Sequence, residues 1–315
     1  LAHPAIDPTV QRPMNHHELV DVVAIRLSGL LTRDQKLFER SVDAPALVDV
    51  APDAEVTVEN ATAAGQHAVD VETPLGTFQA AYLPWQWRGP AYPTVVYHHG
   101  SGEHPFEFGR FASSSFHGLF VGHEDELPVN IVGLRAPFHD RSSTEYARAL
   151  GDLRNFVGMV ASSAALFEAI RADLADRSDA PVVLAGTSLG GFAANLHRAC
   201  FGTADRYVPL LAGAAFGELF VSSVYRHLVA DSALRRPDRL REVLDFADEF
   251  RAVEADDCAP LLGRYDRIVE YDVQRSCYEG FPVAVLEKGH VTGALAADLL
   301  RRHFLDAVRE SEDAE

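Results

Sequence analysis

The sequence predicts an α/β protein: a mainly parallel sheet covered by helices, with a small helical cap. Three observations carry that prediction. From Val95 onward, apolar runs of strand length alternate with stretches of helical period, the pattern of parallel strands joined by crossover helices. One of these runs, Pro181-Val182-Val183-Leu184-Ala185, passes through Gly186-Thr187-Ser188-Leu189-Gly190-Gly191 straight into an Ala-rich helical stretch. The chain also has 315 residues, 47% of them hydrophobic, enough for one large buried core.

Taken in order, the elements begin with a helix. Over residues 18–31 the apolar positions Leu19, Val22, Val23, Ile25, Leu27 and Leu30 recur near the helical period. Residues 1–50 are therefore read as an N-terminal helical extension and 51–315 as the main domain. Residues 43–53, rich in Pro and Asp, read as a linker. Residues 68–72 and 77–83 alternate on either side of Thr73-Pro74-Leu75-Gly76, which predicts strand, turn, strand. Val95-Val96-Tyr97 and residues 129–134 read as buried strands, and one long helix is expected over about 144–174. The runs 207–211, 259–262 and 282–286 supply the remaining strands, and a C-terminal helix follows over 291–308. Residues 213–257 show only helical patterns, so an insertion over about 214–256 is the expected cap.

Charge excludes some partners. With 28 Lys+Arg against 46 Asp+Glu the net charge is −18, which argues against phosphate-backbone binding and against docking on an anionic bilayer. No uninterrupted apolar run is long enough to span a membrane. Leu1-Ala2-His3-Pro4 lacks the basic-then-apolar layout of a signal peptide, so a cytoplasmic location is expected. Cys200, Cys258 and Cys277 have neither zinc nor CxxC spacing and read as reduced core residues. Lys36 and Lys288 are the only lysines. Acid excess with so little lysine resembles the composition of halophilic archaeal proteins, and an Arg-favouring GC-rich genome gives the same bias.

The chemistry-bearing residues cluster at strand ends. Gly186-x-Ser188-x-Gly190, with a strand before it and a helix after it, meets the requirements of a nucleophile elbow: small residues permit the sharp turn that lifts Ser188 Oγ above the sheet. The helix N-terminus adds positive partial charge beside a developing anion. Here the chain resembles the α/β-hydrolase superfamily, whose acid and histidine follow the nucleophile in the order Ser, Asp/Glu, His. Gly263-Arg264-Tyr265-Asp266, after the 259–262 run, resembles its acid turn and makes Asp266 the acid, with Asp272 as runner-up and a simple turn-capping role as the alternative. Val285-Leu286-Glu287-Lys288-Gly289-His290 resembles its last strand and histidine, so His290 is the expected general base.

The resemblance also implies an oxyanion hole. One donor is the Leu189 N–H, and the second comes from the loop His98-His99-Gly100-Ser101-Gly102-Glu103-His104, with the Ser101 N–H preferred and Gly102 its competitor. His98 and His99 are expected on opposite faces of a strand, which disfavours a metal site. His99 is expected to brace the oxyanion loop at the substrate site, while His104, His117 and His139 read as polar loop residues. Residues 95–215, through His98 to His104, Arg135-Ala136-Pro137-Phe138, Ala149-Leu150-Gly151-Asp152-Leu153 and the elbow, further resemble α/β-hydrolase domain-containing protein 18.

Phe216 and Phe220, in an apolar stripe within the cap, are the candidate substrate-pocket residues, with ordinary packing onto the sheet as the alternative for the stripe. The implied activity is a serine hydrolase that cleaves a small-molecule ester or thioester without a cofactor. A lipid deacylase, a peptidase, an acyltransferase or a non-catalytic binding protein is the alternative. The N-terminal helix would either serve a homo-oligomer or cover the core.

Overall fold

The structure is a computed structural model that describes residues 14–31, 35–109 and 112–312. The Leu1-Ala2-His3-Pro4 start considered above lies outside the described residues. Eight strands form one sheet in the order β1-β2-β4-β3-β5-β6-β7-β8. They are β1 His67–Thr73, β2 Gly76–Gln86, β3 Thr94–His98, β4 Asn130–Arg135, β5 Val182–Thr187, β6 Arg206–Leu210, β7 Leu261–Gly263 and β8 Ala284–Leu286. The β1–β2 and β2–β4 pairs are antiparallel and the remainder are parallel. The hairpin register Thr73↔Gly76 places Pro74 and Leu75 in its turn.

The centre of the sheet is buried on both faces, as its near-continuous apolar runs require. Every residue of β3 and β5 is buried. One face carries the helices Leu153–Ala175 and Leu189–Cys200, which pack on the strands and on each other. The other carries Ser115–Phe120 and Ala297–Glu312, around Tyr97, Phe116, Phe120 and Phe304. Leu153–Ala175 is long and apolar enough to cross a membrane by composition, but 78% of its apolar window is buried here.

Four expectations need correction. The stretch expected to be a linker contains the helix Leu47–Val50, and Leu47, Val50 and Ala51 are buried in the main core. Proline and aspartate break the periodicity there without removing the apolar anchors. The long helix splits into Ser143–Ala149 and Leu153–Ala175. Asp152 caps the second piece by accepting from Arg154 N–H at 3.0 Å. Arg40 donates to the Arg148 and Ala149 carbonyls at 2.7 and 3.2 Å, satisfying the open end of the first. The C-terminal stretch is likewise two helices, His290–Ala294 and Ala297–Glu312. Finally, the N-terminal helix His16–Leu31 forms, but its periodicity misleads about its face. Asp21 and Ile25 point inward and are buried, while Leu19, Val23, Leu27 and Leu30 lie exposed.

Between β6 and β7 the chain forms the short helices Phe216–Val221, Asp231–Leu234, Pro237–Leu244 and Ala247–Ala252 and a 3-10 turn, Val224–Leu228. Leu240, Val243, Leu244, Phe246 and Phe250 bury their side chains beneath them.

Candidate active site

Ser188 sits between β5 and the helix Leu189–Cys200 with φ 54° and ψ −113°, a backbone state that L-residues avoid. Close packing around it explains the glycines. A Cβ on Gly186 would lie 2.3 Å from the Gly190 carbonyl carbon, and one on Gly190 would lie 2.1 Å from the His98 oxygen. A Cβ on Gly191 would meet that of Ala212 at 2.6 Å. Strand and helix can approach this closely only without side chains at these positions. The Ser188 N–H donates to Leu210 O at 2.8 Å, tying the turn to the end of β6. Beneath it the Tyr97 and Thr187 hydroxyls are 2.7 Å apart in the core.

Three strand ends converge on this turn. His290 Nε2 lies 3.0 Å from Ser188 Oγ, and His290 Nδ1 lies 2.7 Å from Asp266 Oδ2. The second Asp266 oxygen accepts from the Ile268 and Val269 N–H groups at 2.8 and 2.7 Å. Asp266 therefore cannot rotate away from the imidazole without abandoning two buried amides. Burial raises its carboxyl above the ordinary aspartate value, against lowering by His290. For His290, burial pulls the imidazole down, but Asp266, then Asp21 and Glu103, outweigh it and raise the value above that of a free histidine. Asp272 is exposed within the helix Tyr271–Arg275 and is not brought to the site.

The loop after β3 carries the second group of site residues. The Gly102 N–H donates to His139 Nε2 at 3.1 Å, so this competitor for the oxyanion role is already engaged. Among the described residues, neither the Leu189 nor the Ser101 amide has a protein acceptor. Glu103 is buried, and its Oε2 accepts from the Ser115 N–H and hydroxyl at 2.8 and 2.7 Å. That burial raises its carboxyl. Ser101 Oγ lies 2.8 Å from the Tyr146 hydroxyl, fixing the loop from its outer side.

The histidines depart from expectation. His98 and His99 do not point to opposite faces: β3 ends at His98, so strand alternation no longer holds, and their rings stack at 4.7 Å. His98 Nδ1–H donates to His99 O at 2.9 Å, and His99 Nδ1–H to Gly100 O at 2.6 Å. The remaining His99 nitrogen accepts from Ala136 N–H at 3.1 Å. With both nitrogens used and the ring buried, His99 holds the loop and is not a lining residue of the cavity. His139 is buried and bonded in the same way, to Pro137 O and Gly102 N. Burial takes His98 down to about 4 and His139 down to about 3, so both are neutral supports. Among the described residues no group of three metal-ligating side chains exists.

A cavity of about 450 Å³ opens over Ser188 and His290. Phe216 and Phe220 line it together with Phe156 and Phe192, and the rings of Phe192 and Phe216 stack at 4.0 Å. Tyr146, Tyr225 and His104 add polar groups. Ile25 and Ser28 of the N-terminal helix form part of its wall, a contribution with no local mark in the sequence.

No family model matches the chain, and no curated protein matches it in sequence. Solved structures do match. One is a cold-adapted esterase from an Arctic intertidal metagenomic library, at TM-score 0.51 and 14% identity over 78% of this chain and 93% of that one. Another is the Pyrococcus horikoshii acylaminoacyl peptidase, at TM-score 0.50 and 14% identity over 77% of this chain. This chain spans 41% of that peptidase's length. Likeness at such identity speaks for architecture, and with the strand order above it shows that the chain has the α/β-hydrolase fold.

Proposed function

We propose that this chain is a serine hydrolase that cleaves a carboxylic ester or thioester. The observation that supports this most is the relay from Asp266 through His290 to Ser188, with contacts of 2.7 and 3.0 Å, at the floor of an apolar cavity. Ser188 Oγ attacks the acyl carbon while His290 Nε2 takes its proton. Asp266 keeps the other proton on Nδ1 and stabilises the imidazolium. The Leu189 and Ser101 amides hold the oxyanion, and each is expected to contribute about 3 kcal/mol. Collapse expels the alcohol or thiol, which takes the proton from His290. Water then repeats the sequence on the acyl-enzyme, releasing the acid and freeing Ser188.

The helical segments between β6 and β7 act as the cap, with Phe216 and Phe220 as the acyl-side wall. A 450 Å³ cavity suits a small acyl or alcohol group.

A fluorophosphonate probe and a substrate panel test this reading. Wild type should react with the probe and hydrolyse short p-nitrophenyl esters or thioesters, while Ser188→Ala does neither. Peptide cleavage without ester turnover would make it a peptidase, and an unlabelled wild type would leave a binding protein.

The acidic composition gives a second prediction. At a net charge of −18, self-repulsion between surface carboxylates is screened by salt. Labelling rate and melting temperature should therefore be higher in molar KCl than in dilute buffer. Equal values in both would remove the salt-adapted reading and leave the hydrolase reading untouched.

A further inference from the structure

Asp21 is a fully buried carboxylate on a helix whose outer face is exposed and apolar. Its Oδ2 accepts from Arg267 N–H at 3.0 Å and from His290 N–H at 2.8 Å. Its Oδ1 accepts from Val291 N–H at 2.9 Å. These amides belong to the residue after Asp266 and to His290 and its successor, so one side chain bonds both the acid turn and the base turn.

The surroundings are built for it. A Cβ on Gly289 would come within 2.7 Å of Asp21 Oδ2 and 2.9 Å of His17 O, so glycine alone lets the helix dock this closely. One turn earlier, His17 Nδ1 lies 2.8 Å from Thr292 Oγ1, which in turn accepts from Gly289 N–H at 3.0 Å. The His17 ring also stacks on Tyr265, next to Asp266, at 6.0 Å.

We infer that Asp21 is a positioning residue of the active site, setting the spacing of the Asp266 and His290 turns so that the N-terminal helix completes the triad. This rests on the reading of Ser188, Asp266 and His290 as that triad. Asp21 touches no reacting atom. It acts by fixing two turns that are otherwise joined by the Tyr265 N–H to Lys288 O bond at 3.0 Å and by the His290–Asp266 contact through which the proton relay runs. A displacement of about 1 Å there is enough for a 100-fold loss.

Its charge gives a second signature. The groups facing His290 are Asp266 from the turn after β7, Asp21 from the N-terminal helix, Glu103 from the loop after β3 and the Ser188 hydroxyl. His17 feels the charges of Asp21 and Lys288, and its ring stacks on Tyr265. Removing the Asp21 charge takes away one support for protonated His290, so the acid limb of kcat/KM should move to lower pH.

The test uses the full chain in one salt concentration with the best ester from the panel. Asp21→Asn keeps the shape and removes the charge; Asp21→Glu keeps the charge and displaces it. In Asp21→Asn, kcat should fall about 10- to 100-fold with KM within about twofold, and the acid limb should shift down. Asp21→Glu should lose kcat with its limb at the wild-type position, and it reads the geometry even where the asparagine variant does not fold. Wild-type kcat in either folded variant overturns the inference. So does a loss in Asp21→Asn that tracks the folded fraction with an unmoved limb, since that is the behaviour of a merely structural residue. Failure of the triad reading looks different: wild type is then unlabelled by the probe, or Ser188→Ala is labelled equally.

Discussion

Replacing Ser188 by glycine is expected to end hydrolysis and stabilise the protein. The loss of chemistry follows from removing the nucleophile, and single removal of such a residue typically lowers kcat by about 10⁴-fold or more. The gain in stability follows from the backbone. Ser188 sits at φ 54° and ψ −113°, and an L-residue in such a region stores roughly 1–3 kcal/mol. Glycine relieves that strain while adding about 0.5–1 kcal/mol of unfolded-state entropy, leaving a net gain of about 1 kcal/mol. On a domain of this order that is a rise of roughly 2–4 °C in Tm. Ser188→Ala is the control: it loses the same chemistry but keeps the Cβ, so its Tm should stay below that of the glycine variant. Calorimetry on the pair decides the matter, and a glycine variant that melts at or below the alanine variant would show that the elbow carries no such strain.

Asp266→Asn should be nearly as damaging to catalysis with little change in fold. Its carbonyl oxygen can keep the Ile268 and Val269 amides, which turns the new NH₂ toward His290 Nδ1. The imidazole then accepts at Nδ1 and carries its proton on Nε2, facing Ser188. In that tautomer it cannot take the serine proton, and a comparable substitution in a serine protease lowers kcat by about 10⁴-fold. Because Asp266 is the group that most raises His290, the acid limb should also fall to lower pH. A variant within about tenfold of wild type would mean that another carboxylate orients the base, and Asp21 and Glu103 are the two others acting on it.

Much of this site was legible before folding, because its constraints are local. Gly186, Gly190 and Gly191 mark a turn where strand and helix nearly touch, and such packing tolerates no Cβ wherever the turn sits in the chain. Asp266 and His290 each follow a short apolar run and a glycine, so strand ends and turns were readable even where strand bounds shifted. Local signals also misled. The apolar spacing of His16–Leu31 gave the helix but not its face, since burial there is set by three amides seeking one carboxylate. Strand alternation failed at His98 and His99 because β3 stops between them. His139, read as a polar loop residue, turned out to hold Gly102 through a bond between residues far apart in sequence.

The sequence by itself determined the α/β class, the strand–turn–helix around Ser188 and the order Ser188, Asp266, His290, because short-range periodicity and turn chemistry depend only on neighbouring residues. The tertiary structure alone decided which groups complete the site. Asp21 reaches the His290 amide across 269 positions, and the Ser101 and Tyr146 hydroxyls meet across 45. No local pattern encodes such contacts. They arise when the sheet brings its strand ends to one edge, where buried backbone donors must find acceptors wherever the chain supplies them.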